Sequence, residues 1–301
     1  MAASDYQHCE LMERLAEEAA GRVGEFCAQG LADLQWAFLS LRCEHARLKA
    51  AVEAAPGWAA RPQYEHSMQA GSAPDCFKHV VLGALLDHLL GEDSRPLTYV
   101  DTHGGAGLYD LTSPEARGHA RAEEGVLRMA ARAAAGLPGG GVAAPLASFL
   151  ATQREANGGG SSALLPLTIY AGSPAIAQMR LRPQDRGVIF EASPGARALL
   201  AESLARVCRP EGAPPMRVQR SDAYRGVQHL GRELGSGRVL VFVDPPYELS
   251  FTDHQNFAML REVHRTLPAA SVALWYPILR PERAARMYQR VRALDLGPVL
   301  V

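Results

Sequence analysis

The sequence has little with which to hold a metal or staple a fold. Its five cysteines, Cys9, Cys27, Cys43, Cys76 and Cys208, are odd in number, scattered and never at C-x-x-C spacing. That pattern argues against a zinc ribbon, a dithiol redox centre or a disulfide frame, and no metal site is expected; it fits reduced thiols inside a cell. Long apolar runs are also missing, since none approaches the ~20 residues of a membrane-spanning helix. Charge of one sign is not in excess: 31 Lys plus Arg stand against 32 Asp plus Glu, for a net charge of -1. A globally basic nucleic-acid binder is therefore excluded, and any such affinity has to come from a local patch. The opening stretch 1–18 carries Asp5, Glu10, Glu13, Glu17 and Glu18, which suits neither a secretory signal nor a transit peptide. Cytoplasm is the default location, with an organelle left open.

What is present is a succession of short apolar strands ending on acids or glycines. The most informative is Val239-Leu240-Val241-Phe242-Val243, which runs directly into Asp244-Pro245-Pro246-Tyr247. Five consecutive apolar residues suit a strand covered on both faces of a parallel sheet. The two prolines end it abruptly, because neither has an amide hydrogen and each fixes its own φ. An acid, free carbonyls and an aromatic ring are left at the carboxyl end of a strand, where open α/β sheets place their ligands. A planar amine such as the N6 of adenine would donate to Asp244 and to the carbonyl before the prolines, with the Tyr247 ring stacked on the base.

Leu97-Thr98-Tyr99-Val100-Asp101 predicts a second buried strand, followed by Thr102-His103-Gly104-Gly105-Ala106-Gly107. This turn is neither G-x-G-x-x-G nor a phosphate loop. Glycines there let backbone approach a ligand closely, and the methionine end of S-adenosylmethionine would lie over it. Gly187 to Glu191 reads as a strand whose terminal acid sits where a ribose-binding carboxylate sits in nucleotide folds. Met216 to Ala223 ends a strand on Asp222, and Ser271 to Pro277 is a further strand. Helices are predicted from Asp75, as cap, through Leu90, over Arg117 to Ala135, over Ala143 to Ala156, from Pro194 to Val207, from Tyr224 to Leu234 and up to Leu267. Alternating strands and helices describe a doubly wound, Rossmann-like α/β sheet. Gly-rich tracts at 139–141 and 157–162 mark an inserted helical subdomain at about 113–165.

Ahead of this domain, residues 1–61 form a helical extension, separated by the Pro56 to Pro62 linker from the domain at 62–301. Leu31, Leu34, Phe38, Leu41, His45, Leu48 and Val52 alternate three- and four-residue steps, so 31–52 is a face for a partner helix or a second copy. Arg280, Arg283, Arg286, Arg290 and Arg292 crowd one helix near the end and make the best local candidate for a phosphate-contacting patch.

The conjunction of Tyr64-Glu65-His66-Ser67, Ala70-Gly71, Lys78-His79, Asp101 to Gly107, Gly172-Ser173-Pro174, Glu191, Asp244 to Glu248 and Ala273-Leu274-Trp275-Tyr276-Pro277 resembles the RlmJ-type 23S ribosomal RNA adenine-N6 methyltransferases. The likeness covers about residues 62 to 301. It implies a Rossmann-like methyltransferase that uses S-adenosylmethionine to methylate the N6 amine of an adenine in large-subunit ribosomal RNA. Carried over residue by residue, it implies that His79, His103, Gly105, Ser173, Glu191, Asp222, Ala223 and Asp244 hold the cofactor. Asp244, Pro245, Pro246 and Tyr247 would form the catalytic turn, and Tyr64, His66 and Lys78 would meet the RNA. Two departures stand out: Pro74-Asp75-Cys76-Phe77-Lys78-His79 replaces the family's Ala-Asp-Val-Leu-Lys-His, and Asp222-Ala223 replaces Asp-Gly. The family also continues past the Trp-Tyr-Pro strand with closing strands that this sequence mostly lacks. The residues alone leave two other readings open: an adenine-N6 methyltransferase on DNA or another RNA, and a catalytically silent scaffold that binds RNA or protein.

Overall fold

The computed structural model describes residues 14–25, 46–54, 69–135, 143–159, 166–234, 237–245, 252–276 and 281–298. The chain divides into two compact units, one of residues 1–64 with 246–252 and one of 65–245 with 253–301. In the first, a helix at 14–21 and the helix Ala46–Ala54 are joined by an ion pair between Arg47 and Glu17, with Ala16, Ala19 and Leu48 buried. Of the heptad-spaced residues, Leu31, Leu34, Phe38, Leu41 and His45 lie outside the described residues.

The second unit opens with α1 (Ala73–Glu92), then β1 (Leu97–Asp101), β2 (Leu108–Asp110), α2 (Pro114–His119), α3 (Arg121–Glu124), α4 (Val126–Ala134), α5 (Ala144–Ala156), β3 (Ile169–Ala171) and α6 (Ser173–Gln178). It continues through β4 (Arg186–Phe190), α7 (Pro194–Arg206), β5 (Arg217–Gln219), α8 (Ala223–Leu234), β6 (Arg238–Val243), α9 (Thr252–Thr266), β7 (Ser271–Leu274) and α10 (Pro281–Arg292). The main sheet has the order β5-β4-β1-β6-β7 and all four pairings are parallel. Succession runs from β1 outward through β4 and β5, then restarts on the other side with β6 and β7. The switch point, where such folds bind ligands, therefore lies between β1 and β6.

Both faces of the sheet are covered, as the apolar strands predict. Leu240 and Phe242 turn to one layer, with Leu97, Tyr99 and Ile189 of the neighbouring strands and Leu82 and Leu86 of α1. Val239, Val241 and Val243 turn to the other, against Val227 and Leu230 of α8 and Met259 and Val263 of α9. Period-two alternation thus splits one continuous apolar run between two cores.

The excursion between β1 and α6 departs from the expected single helix over 117–135. The helix breaks twice, at Ala120 with φ 49° and at Gly125. At the second break the backbone of Gly71 is the cause. Val126 N–H donates to the Gly71 carbonyl at 2.8 Å, and a Cβ on Gly125 would lie 2.0 Å from that same oxygen. Only a residue without a side chain lets the chain come this close. The predicted helix over 143–156 is present as α5. The short strand β3 pairs antiparallel with β2, outside the main sheet. Gln153 closes this base of the insertion by bonding both N–H and carbonyl of Ala171 at 2.8 and 3.0 Å.

Candidate active site

The parallel sheet places the carboxyl ends of its strands on one edge, so Asp101, Glu191, Asp222 and Asp244, which close or follow β1, β4, β5 and β6, are gathered there by topology. Asp101 lies across from Phe242 in the β1–β6 register, and Asp244, two residues on, follows directly after the end of β6.

Asp244 is held by a residue far away in sequence. The Lys78 ammonium on α1 pairs with its Oδ2 and, at 2.8 Å, with Asp75 Oδ1 one helical turn back. Among the described residues no hydrogen bond is made to Asp244 Oδ1, and the side chain keeps 16% exposure. Burial alone would lower the Lys78 pKa, but Asp244 and Asp75 together outweigh it and raise it, so Lys78 stays charged. Sequence reasoning placed Lys78 at an RNA-facing mouth and took Asp75 for the helix cap. The structure buries Lys78 between two carboxylates, and Ser72, not Asp75, is the cap, accepting from Asp75 N–H at 3.4 Å. The i,i+3 spacing of Asp75 and Lys78 was the available signal for half of this arrangement.

The glycine turn after β1 is strapped from several sides. Gly105 has φ 60°, and a Cβ there would lie 2.2 Å from the Tyr109 hydroxyl, which itself accepts from Ala106 N–H at 3.1 Å. Gly105 N–H donates to Glu191 Oε2 at 2.9 Å, while Ser193 N–H donates to Oε1 at 2.7 Å. The acid at the end of β4 thus braces the turn at the end of β1. Ser203 of α7 completes the brace, donating to Ala106 O at 2.7 Å and accepting from Leu108 N–H at 3.1 Å.

Beneath the turn, Asp101 is fully buried and accepts from Tyr99 Oη at 2.8 Å and His103 N–H at 3.2 Å. Burial pushes its pKa up to about 6, against the hydrogen bonds of Ser173 and Tyr99. Beside it, burial pushes His103 down to about 4, with Asp244 pulling the other way. These two shifts oppose one another in acid. The raised Asp101 contributes stability that is fully present below its ordinary 3.8 and lost as pH rises through about 6. The lowered His103 contributes stability present above its ordinary 6.5 and lost as pH falls through about 4. Asp101→Asn should therefore lose stability relative to the parent by on the order of 3 kcal/mol between pH 7 and pH 4. Urea melts at several pH values check this, and parallel pH profiles for the two proteins would refute it.

Other expected cofactor residues are distributed as follows. His103 meets Tyr224 edge-on, ring centroids 5.6 Å apart. Asp222 accepts from Tyr224 N–H at 2.9 Å, and Ala223 is buried at the start of α8. Ser173 is buried at the start of α6. His79 is buried, with Nδ1 2.7 Å from the Tyr170 hydroxyl. Pro245 is described, whereas Pro246, Tyr247, Tyr64 and His66 lie outside the described residues. The arginine patch near the end is partly engaged: Arg290 lies 3.9 Å over the Phe257 ring and Arg292 5.7 Å from Tyr288. Arg280 and the side chain of Arg283 are outside the described residues. No group of His, Cys, Asp or Glu among the described residues could hold a metal ion, and no described helix is long and apolar enough to cross a membrane.

A parallel sheet with this strand order, a braced glycine turn after β1 and an acid-proline turn after β6 define a Rossmann-like methyltransferase. Residues 94–301 match the family Ribosomal RNA large subunit methyltransferase D, RlmJ. The chain is 32% identical over 240 residues to Ribosomal RNA large subunit methyltransferase J of Escherichia coli, covering 79% of this chain and 78% of that one. It is 28% identical over 237 residues to the protein of the same name from Haemophilus influenzae, with the same coverage of 79% and 78%. This chain belongs to the RlmJ family of ribosomal RNA large subunit methyltransferases, and it is an enzyme of that class. A crystal structure of a Legionella pneumophila protein shares the fold, with a TM-score of 0.61 at 23% identity over 75% of this chain and 76% of that one.

Proposed function

We propose that the enzyme transfers a methyl group from S-adenosylmethionine to the N6 amine of an adenine in large-subunit ribosomal RNA, in the cytoplasm. The observation that carries this reading is Asp244 at the switch point, with Oδ2 held by buried Lys78 and the side chain still 16% exposed. A carboxylate with one oxygen fixed and the other available is suited to accept an N6–H and so aim the nitrogen lone pair. Holding the nucleophile in line supplies much of the rate of such a transfer.

The residues across the switch point fit a nucleoside cofactor. The turn from Gly104 to Gly107 is braced by Tyr109, Glu191 and Ser203 in a shape that a side chain at 105 would fill. In this reading Gly105 and His103 lie along the methionine end, Glu191 takes the ribose hydroxyls, and Asp222 and Ala223 border the adenine, with His79 and Ser173 supporting the same region. S-adenosylmethionine, when bound, supplies an electrophilic methyl on a sulfonium. Asp244 then receives the hydrogen bond of the amine and Lys78 keeps the carboxylate oriented. Pro245, Pro246 and Tyr247 shape the adenine side, and Tyr64 and His66 meet the RNA. The methyltransferase domain spans 62–301 in this proposal, and 31–52 of the helical extension is a face for a partner helix or second copy.

Incubation of the enzyme and S-adenosylmethionine with unmodified ribosomal RNA and with DNA, followed by nuclease digestion and mass spectrometry, tests the proposal. N6-methyladenosine is expected in the RNA digest alone. Its appearance only in DNA would transfer the reading to a DNA adenine methyltransferase, and no product together with no cofactor binding by calorimetry would point to a silent scaffold.

A further inference from the structure

We propose that Phe77 and Trp275 form a stacking surface for one unpaired nucleobase next to the target adenine, so that the substrate is taken as a splayed, single-stranded segment. This inference rests on the reading of the chain as an RNA adenine methyltransferase. Phe77 is 63% exposed, the most exposed of the large apolar side chains among the described residues. The inner face of α1 buries Cys76, Leu82 and Leu86, whereas Phe77 and, one turn on, Val81 look outward. The Phe77 ring meets Trp275 at a centroid distance of 6.0 Å and an interplanar angle of 51°.

Two bonds place this pair beside the catalytic carboxylate. Phe77 immediately precedes Lys78, whose ammonium pairs with Asp244. Trp275 N–H donates at 2.9 Å to the carbonyl of Val243, the residue before Asp244. Aromatic surface therefore borders Asp244 from both α1 and the end of β7.

The chemistry of the substrate supplies the occupant. Asp244 sits at the end of a buried strand, so an adenine must leave its stack to reach it. The neighbouring base then loses a stacking partner, and an exposed aromatic ring replaces it without regard to sequence. The exposed Phe77 ring, with Trp275 tilted against it, offers a flat apolar face of the kind on which a base stacks.

The test is steady-state methylation of an unmodified large-subunit RNA fragment containing the adenine that becomes methylated. Phe77→Ala should raise KM for RNA about 10-fold with kcat within about twofold, cofactor affinity unchanged and Tm unchanged, because the ring is exposed. Phe77→Trp should behave like the parent. A series of fragments with an abasic nucleotide at each position flanking the adenine adds a readout that a structural role would not move. One abasic site should raise KM for the parent and add nothing in Phe77→Ala. A KM within twofold of the parent for Phe77→Ala, or identical abasic penalties in both proteins, would overturn the stacking role. Failure of the parent itself to methylate any RNA would instead remove the functional reading beneath it.

Discussion

Asp244→Ala is expected to lower methyl transfer to RNA by roughly 10³-fold, the scale seen when a preorganised group that positions the reacting atoms is removed. Affinity for S-adenosylmethionine should stay within a few-fold, because the braced turn at Gly105 and Glu191 does not pass through Asp244. The fold should survive as well, since Lys78 keeps Asp75 as its counter-ion at 2.8 Å. Asp244→Asn should lose less, because its amide oxygen still accepts a hydrogen bond, though without charge. Tritium transfer from labelled cofactor and calorimetry measure the two halves of this expectation. A parent-like rate in the alanine variant would remove Asp244 from the chemistry.

Lys78→Met should damage stability and activity together. Removing the ammonium takes from Asp75 and Asp244 the cation they share in a largely buried site. Breaking one partner of a buried ion pair typically costs about 3–5 kcal/mol. Activity should fall with it, because Oδ2 of Asp244 loses the group that orients it. The raised pKa of Lys78 carries a sign as well. Its contribution is fully present below the ordinary 10.5 and is lost only as pH rises beyond it, so no pH change within the working range should mimic the mutation. Pairing Lys78→Met with Asp75→Asn removes one of the two carboxylates that shared the ammonium and should restore part of the lost stability. Urea unfolding of the single and double variants checks this. A single variant within about 1 kcal/mol of the parent would show that the ion pair carries little weight.

The fold was largely written in local pattern. Val239 to Val243 is apolar at every position because alternate side chains enter two different cores, and that requirement leaves a mark readable without coordinates. The acids and glycines at the strand ends were legible for the same reason: a parallel sheet brings all its carboxyl ends to one edge, so Asp101, Glu191, Asp222 and Asp244 are neighbours by topology. Inside the insertion, by contrast, the helical composition of 117–135 said nothing of the break at Gly125. That break exists because the carbonyl of Gly71, more than fifty residues earlier, takes the Val126 N–H.

The sequence by itself determined the class of fold, the glycine turn, the acid that follows β6 and the family they resemble, because each depends on residues adjacent in the chain or on strand order. Only the tertiary structure decided that Lys78 pairs with Asp244, that Glu191 braces Gly105, and that Phe77 meets Trp275. Each of these joins residues scores of positions or more apart, and no local periodicity records a contact that is made only when distant elements of the chain pack together.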